Sequence, residues 1–144
     1  MSAVVVEPVV NASDEVLSAC HRLIPQLSSS SPVLTRDQLH ELISASSTVL
    51  FAARSDGVIV GLLTLVVFRI PTAVRAWIED VVVDEAARGK GVGEALNKTA
   101  LAEAKRRGAK TVDLTSRPSR EAANRLYQRI GFSRRDTNVY RYEW

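Results

Sequence analysis

Residues 76–107 constrain the fold more than any other part of the chain. An apolar stretch ends at Val83 and is followed by a short acidic turn, and three alternate glycines, Gly89, Gly91 and Gly93, then precede a helical pattern. Glycine has no Cβ, so successive backbone N–H groups can converge on an anion at close range. The first turn of a helix adds unpaired donors and a partial positive charge. The passage therefore predicts a strand, a phosphate-binding loop and a helix in succession.

The spacing of the glycines excludes two common kinds of phosphate-binding loop. A P-loop ends in Gly-Lys-Ser/Thr, and the dinucleotide fingerprint spaces its glycines as G-x-G-x-x-G. This loop reads G-x-G-x-G, with Arg88 and Lys90 adding full positive charges. It is therefore expected to bind the phosphates of a different class of ligand.

Two helical patterns occupy the first third of the chain, after a short β-branched stretch at Ala3–Val6 that predicts a strand. Ser13 can cap the first helix, whose apolar residues fall on one face. Thr35, with Gln38 three residues later, forms a capping box for the second helix. The serine-rich stretch Ser28–Ser31 is expected to be the loop between the two.

Beyond the second helix the hydrophobic period changes from about 3.6 to about 2 residues, which indicates strands. The pattern predicts a hairpin of residues 48–54 and 58–68 that turns at Asp56-Gly57, and then a strand at residues 74–83. After the glycine loop and its helix, the remaining predicted elements are a strand at Thr111–Thr115, a helix that opens at Pro118 and ends at Gly131, and one or two strands over Phe132 and Val139–Tyr142.

The predicted order is β-α-α-β-β-β-α-β-α-β(-β), which indicates a single mixed α/β (α+β) domain over residues 1–144 with helices lying over one sheet. Neither a secretory signal nor a membrane-spanning stretch is expected, so no membrane partner is predicted. The single cysteine, Cys20, cannot form an intrachain disulfide and suits a reducing cytosol, which predicts a cytoplasmic location. The net charge of +3 comes without an arginine-rich recognition helix, so no nucleic-acid partner is expected. The sequence has no Cys/His cluster, so no metal site is expected.

The loop Arg88-Gly89-Lys90-Gly91-Val92-Gly93 matches the Arg-x-x-Gly-x-Gly signature of the GNAT superfamily of N-acetyltransferases, and the chain resembles that family. The resemblance includes the strand that ends before Asp84 and the pattern Asn-x-x-Tyr-x-x-x-Gly-Phe from Asn124 to Phe132. It is strong over residues 76–132 and only architectural over residues 1–70.

The resemblance implies a GNAT-like, largely antiparallel sheet of six to seven strands flanked by about four helices. It implies acetyl-CoA as the acyl donor, a primary amine of a small molecule or a protein as the acceptor, and a homodimer. It also assigns cofactor-binding roles to three groups of residues. These are the strand residues Val81, Val82 and Val83 along the pantetheine arm, the amides of Arg88, Gly89, Lys90, Gly91, Val92, Gly93 and Glu94 around the pyrophosphate, and Asn124 against the cofactor arm.

Transfer of an acyl group from a thioester to an amine needs a base for the amine and an acid for the departing thiolate. Tyr127 is the candidate acid, and packing on the apolar face of its helix is the alternative role. Glu79 is the candidate base, because a carboxylate within an apolar strand is costly unless it is paired or functional. The Ile-Glu-Asp run also resembles that of spermidine/spermine and glucosamine-phosphate acetyltransferases. Asp80 remains an alternative base, because a β-bulge would exchange the faces of the sheet on which Glu79 and Asp80 lie. An ion pair with Arg69 or Arg75 is the alternative, structural role of either carboxylate.

Cys20 lies on the apolar stripe of the first helix without a predicted histidine base nearby, so it is expected to be a core residue and not a nucleophile. The sequence therefore predicts direct transfer in a ternary complex. A non-catalytic acyl-CoA-binding module is the alternative function.

Overall fold

The structure is a computed structural model that describes residues 3–144. Over these residues, four α-helices accompany a five-stranded sheet. The elements are β1 (Val4–Pro8), α1 (Asp14–Leu27), α2 (Arg36–Ser44), β2 (Thr48–Ser55), β3 (Val58–Ile70), β4 (Ala73–Val83), α3 (Val92–Arg106), β5 (Thr111–Asp113) and α4 (Glu121–Arg129), with a short 3-10 turn at Glu85–Ala87 between β4 and α3.

The starts of the first two helices follow from their capping residues. The Ser13 hydroxyl accepts a hydrogen bond from the Val16 amide at 3.2 Å. At the start of α2, the Gln38 amide donates to Thr35 Oγ1 at 3.1 Å and the Thr35 amide donates to Gln38 Oε1 at 3.0 Å. Both bonds satisfy amides that have no partner within the helix. The predicted helix starts are therefore confirmed.

The strand order in the sheet is β1-β2-β3-β4-β5, with antiparallel pairing from β1 to β4 and parallel pairing of β4 with β5. The prediction of a mixed, largely antiparallel sheet is confirmed. The register between β3 and β4 shifts, because Leu62 pairs with Val82 whereas Thr64 pairs with Glu79. One extra residue on β4 therefore makes a bulge, and Asp80 within it has φ +49°.

Each face of the sheet is covered by a separate apolar cluster. Side chains of α3 pack on one face with Ala76 and Ile78 of β4. Side chains of α1 and α2 pack on the other face with Val82 of β4. In a regular strand Ile78 and Val82 would share a face. The bulge at Asp80 shifts the alternation by one residue, so that after it Val82 joins the α1–α2 cluster while Val81 and Val83 pack against the α3 cluster.

The expected strand count of six to seven was wrong, because the structure has five strands over residues 3–144. No strand forms at Phe132 or at Val139–Tyr142, although the alternating pattern is present. A strand needs a neighbour for its backbone hydrogen bonds, and residues 133–144 make no ladder with any described strand. The helix expected to open at Pro118 instead begins at Glu121, because the Arg120 amide bonds to the Arg117 carbonyl in a turn ahead of it.

Candidate active site

A groove of about 680 Å³ lies where the C-terminal half of β4 meets the loop that follows it and the first turns of α3 and α4. The end of α1 closes one side of it through Gln26 and Leu27. Among the residues predicted to bind a cofactor, those that line this groove are Val81, Val82, Val83, Arg88, Gly89, Gly91, Val92, Gly93 and Glu94.

Within residues 3–144, no strand pairs with the edge of β4 that faces the groove. β5 pairs with β4 only through residues Arg75, Ala76 and Trp77, and it ends at Asp113. From Ile78 to Val83, β4 is paired on its β3 side alone. Its backbone groups on the other side are therefore available to an extended ligand that lies along the strand, as in β-strand addition.

The loop between β4 and α3 presents a run of unpaired amides. Gly89 and Gly91 have φ +77° and +80°, left-handed values that glycine adopts without a steric penalty. The N–H groups of residues 89–94 have no acceptor among the described residues. Unlike α1 and α2, helix α3 has no side-chain cap. The amides and the positive end of α3 therefore remain free for an anionic ligand.

Helix α4 brings a second uncapped N-terminus to the same groove. Its capping position, Arg120, makes no side-chain cap, and its first turn lines the groove. Further arginines in the lining are Arg88, Arg125 and Arg129. The Glu94 carboxylate in the first turn of α3 lies 3.7 Å from Lys98 Nζ and 3.8 Å from Arg129 Nε. Positive charge thus exceeds negative charge around the groove, which suits a phosphorylated ligand.

Side chains of α1 hold the start of the loop in place. Arg22 Nη1 donates to Asp84 Oδ2 at 2.7 Å, and Arg22 Nη2 donates to the Ile59 carbonyl at 2.8 Å. The Glu85 amide donates to Gln26 Oε1 at 3.0 Å. Sequence reasoning missed Arg22 and Gln26, because no local pattern reveals contacts between segments about sixty residues apart in the chain.

Tyr127 is buried in the wall of the groove, with 7% of its surface exposed. Its ring meets Phe132 edge to face at 5.8 Å. Burial raises the pKa of the Tyr127 phenol above its usual range, and the nearby Arg120 charge only partly opposes that rise. The phenol is therefore protonated at neutral pH and can donate a proton or a hydrogen bond.

Glu79 and Asp80 are both exposed and lie outside the groove lining. Because Ala76 and Ile78 face α3, alternation places Glu79 on the opposite face, where α1 and α2 pack. Neither carboxylate forms an ion pair with Arg69 or Arg75 within residues 3–144, so the structural alternative for these acids is not realised.

Two predicted cofactor residues, Lys90 and Asn124, do not line the groove. Asn124 Nδ2 donates to the carbonyls of Arg117 and Arg120, both at 2.9 Å, and so fixes the turn ahead of α4. A direct contact of Asn124 with a ligand stays a prediction.

Asn97 is a lining residue that sequence reasoning missed. It is fully buried, and its Nδ2 donates to the Gly93 carbonyl at 2.8 Å. Its Oδ1 has no partner among the described residues. The sequence signal that could have identified Asn97 is its position as a single side-chain amide within the apolar face of α3.

Cys20 belongs to the core beneath α1, where it is 3% exposed. Burial raises the pKa of the Cys20 thiol, so the thiolate needed by a nucleophile is disfavoured. The prediction that it is a core residue is confirmed. Over residues 3–144 no cluster of His, Cys, Asp and Glu side chains is arranged to hold a metal ion, and no helix has the length and apolarity to cross a bilayer.

Comparison with known proteins identifies a matching family and several similar solved structures. A sequence model described as the acetyltransferase (GNAT) family matches residues 16–132. Similar solved structures include a transcriptional regulator from Bacillus halodurans C-125, with TM-score 0.84, 24% identity and coverage of 98% of this chain and 100% of that one. A glucosamine-6-phosphate N-acetyltransferase from Arabidopsis thaliana has TM-score 0.81, 19% identity and coverage of 97% and 98%. An aminoglycoside N-acetyltransferase in complex with CoA has TM-score 0.80, 17% identity and coverage of 99% and 96%. No curated protein sequence matches this chain.

Proposed function

Because this chain belongs to the acetyltransferase (GNAT) family, we propose that it transfers an acetyl group from acetyl-CoA to a primary amine of a small molecule or a protein. The observation that carries the proposal is the run of unpaired amides at residues 89–94, which opens onto the groove between β4 and α4. Unpaired amides at a helix N-terminus are the donors that a diphosphate requires.

The residues of the groove fit coenzyme A in three respects. The unpaired edge of β4 at Ile78–Val83 suits the amide-containing pantetheine arm, which can hydrogen-bond to it as an added strand would. The amides at residues 89–94 suit the diphosphate. The arginines around the groove, Arg88, Arg120, Arg125 and Arg129, supply charge for phosphate groups.

Acetyl-CoA supplies the activated acyl group as a thioester. The edge of β4 orients the thioester, and its free N–H groups are suited to polarise the carbonyl oxygen. The amine nitrogen would bond to the carbonyl carbon as the carbon–sulfur bond breaks, and the neutral phenol of Tyr127 would give its proton to the departing sulfur. Glu79, on the α1–α2 side of the sheet, takes a proton from the amine, directly or through water. We infer that the acceptor amine approaches from the α1–α2 side of the sheet, where Glu79 lies.

Direct transfer without a covalent acyl-enzyme is the proposed route, since Cys20 is buried and its thiol is held protonated. The named acceptors of two similar structures, glucosamine-6-phosphate and an aminoglycoside, are amino sugars, which supports a small amine as the acceptor class. The proposed location is the cytoplasm, in keeping with the unpaired cysteine.

The test combines calorimetry with a screen of acceptors. Coenzyme A is titrated into the full chain and into the double variant Gly89→Ala/Gly91→Ala. A Cβ at either position meets open space, so the substitutions disturb the left-handed backbone and leave packing unchanged. We expect saturable binding to the native chain and at least about tenfold weaker binding to the variant, since a left-handed alanine costs on the order of 1 kcal/mol at each site.

The acceptor screen follows the release of free thiol from acetyl-CoA with amino sugars, polyamines and peptides bearing a free amine. Thiol release that depends on an amine supports transfer. Binding of coenzyme A without release by any acceptor would favour the non-catalytic alternative, and the absence of binding would overturn the proposal at its first step.

A further inference from the structure

The α1–α2 side of the sheet is covered by helices over only part of its length. Helices α1 and α2 pack there against an apolar cluster that includes Leu62 and Val82. Further along the strands, Val66, Phe68 and Trp77 are half-buried and, within residues 3–144, belong to neither apolar cluster. We call this part of the sheet surface the uncovered face, and it consists of Val66, Phe68, Arg75, Trp77, Glu79 and Asp113.

The alternation of β4 determines which of its side chains lie on the uncovered face. Ala76 and Ile78 pack under α3, so Arg75, Trp77 and Glu79 point to the opposite side. A cationic, an aromatic and an anionic side chain therefore follow one another along one strand. The Cα atoms of Arg75 and Glu79 are about 13 Å apart at the usual rise of an extended strand.

The strands on both sides of β4 add to the same face. On β3, Val66 pairs with Trp77 and Phe68 pairs with Arg75, and paired residues share a face of the sheet. On β5, Asp113 pairs with Trp77. The uncovered face thus has an apolar, aromatic floor with charged side chains around it, as the binding sites of small molecules commonly have.

The charges on the uncovered face are not neutralised by the protein. Within residues 3–144, none of Arg75, Glu79 and Asp113 takes part in an ion pair. The two carboxylates lie towards the gap that opens where β5 ends, whereas Arg75 lies towards the turn between β3 and β4. A ligand that matches this arrangement has a cationic group, an apolar body and an anionic group in that order.

We propose that the uncovered face binds the acceptor, and that the acceptor is a small molecule in which an apolar body joins a primary amine to an anionic group. This inference rests on the proposed function, which brings the amine to Glu79. The amine then lies at the negative end of the face, and the apolar body packs on Trp77. The guanidinium of Arg75 binds the anionic group, a carboxylate or a phosphate, through charge-assisted hydrogen bonds. Arg75 therefore determines specificity and takes no part in the transfer.

The fluorescence of Trp77 tests binding independently of catalysis. The chain has two tryptophans and the other, Trp144, is fully exposed, so the full chain with Trp144→Phe reports on Trp77 alone. The probes are 8-aminooctanoate and 8-aminooctylphosphonate, with the neutral 8-aminooctanamide as the reference. We expect a saturable change in fluorescence, with the dissociation constant of at least one anionic probe about threefold or more below that of the amide, as for a partly exposed charge pair.

A matched pair of substitutions in the Trp144→Phe chain tests the role of Arg75. Arg75→Gln removes a positive charge from the uncovered face. Arg69→Gln removes the same charge from the same hairpin on the α3 side, where alternation places Arg69 with Val67. We expect Arg75→Gln to bind the three probes equally and Arg69→Gln to keep the preference for the anionic ones. The proposal is overturned by equal binding of all probes to the parent chain, by the absence of saturable binding, or by equal losses in the two variants.

Transfer kinetics separate this inference from the proposed function. With acetyl-CoA, the anionic group should lower KM and leave kcat similar, because Arg75 contacts the ground state and the transition state alike. Thiol release with equal KM for the charged and neutral amines would keep the proposed function and contradict the inference. Binding that depends on Arg75 without thiol release from any amine would contradict the proposed function and keep the anion-binding role of Arg75.

Discussion

Arg22 of α1 and Asp84 at the end of β4 form an ion pair at 2.7 Å that ties the first helix to the loop of unpaired amides. Asp84 Oδ1 also accepts a hydrogen bond from the Ala86 amide at 3.2 Å and so starts the 3-10 turn that leads into the loop. The Asp84 side chain is only 19% exposed. One carboxylate therefore sets both the position and the conformation of the segment that presents the amides.

We predict that Asp84→Ala weakens the binding of coenzyme A about tenfold, equivalent to about 1.4 kcal/mol. Removal of a negative charge would by itself favour an anionic ligand, so weaker binding would report the loss of order in the loop. Calorimetry gives the dissociation constant. The control, Asp14→Ala, removes the same charge and breaks the ion pair of Arg36 with Asp14, at the opposite end of α1 from Gln26. Equal effects of the two substitutions would contradict a specific role of Asp84 in ordering the loop.

Glu79 and Asp80 can be separated by substitutions that keep their shapes. We predict that Glu79→Gln lowers kcat about a hundredfold, within the range of general base catalysis, while the affinity for coenzyme A is retained. Asp80→Asn is the matched control, because asparagine tolerates the φ of +49° at the bulge better than most residues. Steady-state kinetics with the best acceptor of the screen provide the measurement. A loss of activity in Asp80→Asn alone would transfer the role of base to Asp80.

For Tyr127 we predict that replacement by phenylalanine lowers kcat about a hundredfold or more and leaves the thermal stability unchanged. Stability should be kept because the phenol oxygen has no hydrogen-bond partner within the described residues, while the ring keeps its contact with Phe132. Burial raises the pKa of Tyr127 above its usual range, so any loss of activity that comes from deprotonation of this acid should occur at a higher pH than for an ordinary tyrosine phenol. Full activity of the variant would leave Tyr127 a purely packing role.

The first three helices and the glycine loop could be predicted because local chemistry determines them. Ser13 and Thr35 satisfy amides within one turn of their own position, and Gly89 and Gly91 mark left-handed residues wherever they lie in the fold. The same logic places the loop at the start of α3, and nothing distant in the chain was needed to infer a phosphate site there.

Features that depend on distant partners could not be predicted with the same success. The bulge at Asp80 arises from the register between β3 and β4, and the Arg22–Asp84 pair joins two segments that no pattern connects. The C-terminal residues 133–144 show that a local pattern alone is not sufficient to form a strand. Their alternation at Tyr140, Tyr142 and Trp144 is typical of a strand, but a strand forms only where another strand is available to pair with it.

Gly61 of β3 is required by the close approach of α3 to the sheet. A Cβ at this position would lie 2.9 Å from Val92 Cγ1, 3.0 Å from Leu96 Cδ1 and 3.2 Å from the Val82 carbonyl oxygen. We predict that Gly61→Ala destabilises the chain by about 1–3 kcal/mol through overpacking. Urea denaturation measures the change.

The double variant Gly61→Ala/Val92→Ala provides the control for that prediction. Removal of the Val92 methyl groups makes room for the new Cβ, so the double variant should be more stable than the sum of the two single changes implies. Additive losses would mean that Leu96 or the backbone carbonyl of Val82, and not Val92, sets the requirement for glycine.

Glu103 near the end of α3 links the stability of the chain to pH. Hydrogen bonds from Arg106, and next from Arg107, lower the pKa of Glu103 from 4.5 to about 2. Arg107 Nε donates to the carboxylate at 2.7 Å while its Nη1 donates to the Ser46 carbonyl at 2.9 Å, so the carboxylate also steadies a contact between α3 and the segment ahead of β2. A carboxyl group whose pKa is lower in the folded state stabilises the fold above its unfolded pKa.

That stabilisation should be complete above about pH 5 and should be lost as the pH falls from about 4.5 towards about 2. We therefore predict that Glu103→Gln lowers the urea midpoint at pH 7 and that its deficit relative to the native chain shrinks steadily below pH 4.5. Glu41→Gln on α2, where the glutamate has no ion-pair partner within residues 3–144, controls for the removal of a carboxylate. A deficit for Glu103→Gln that stays constant from pH 7 to pH 2 would show that the arginines stabilise α3 without sensing the charge of Glu103.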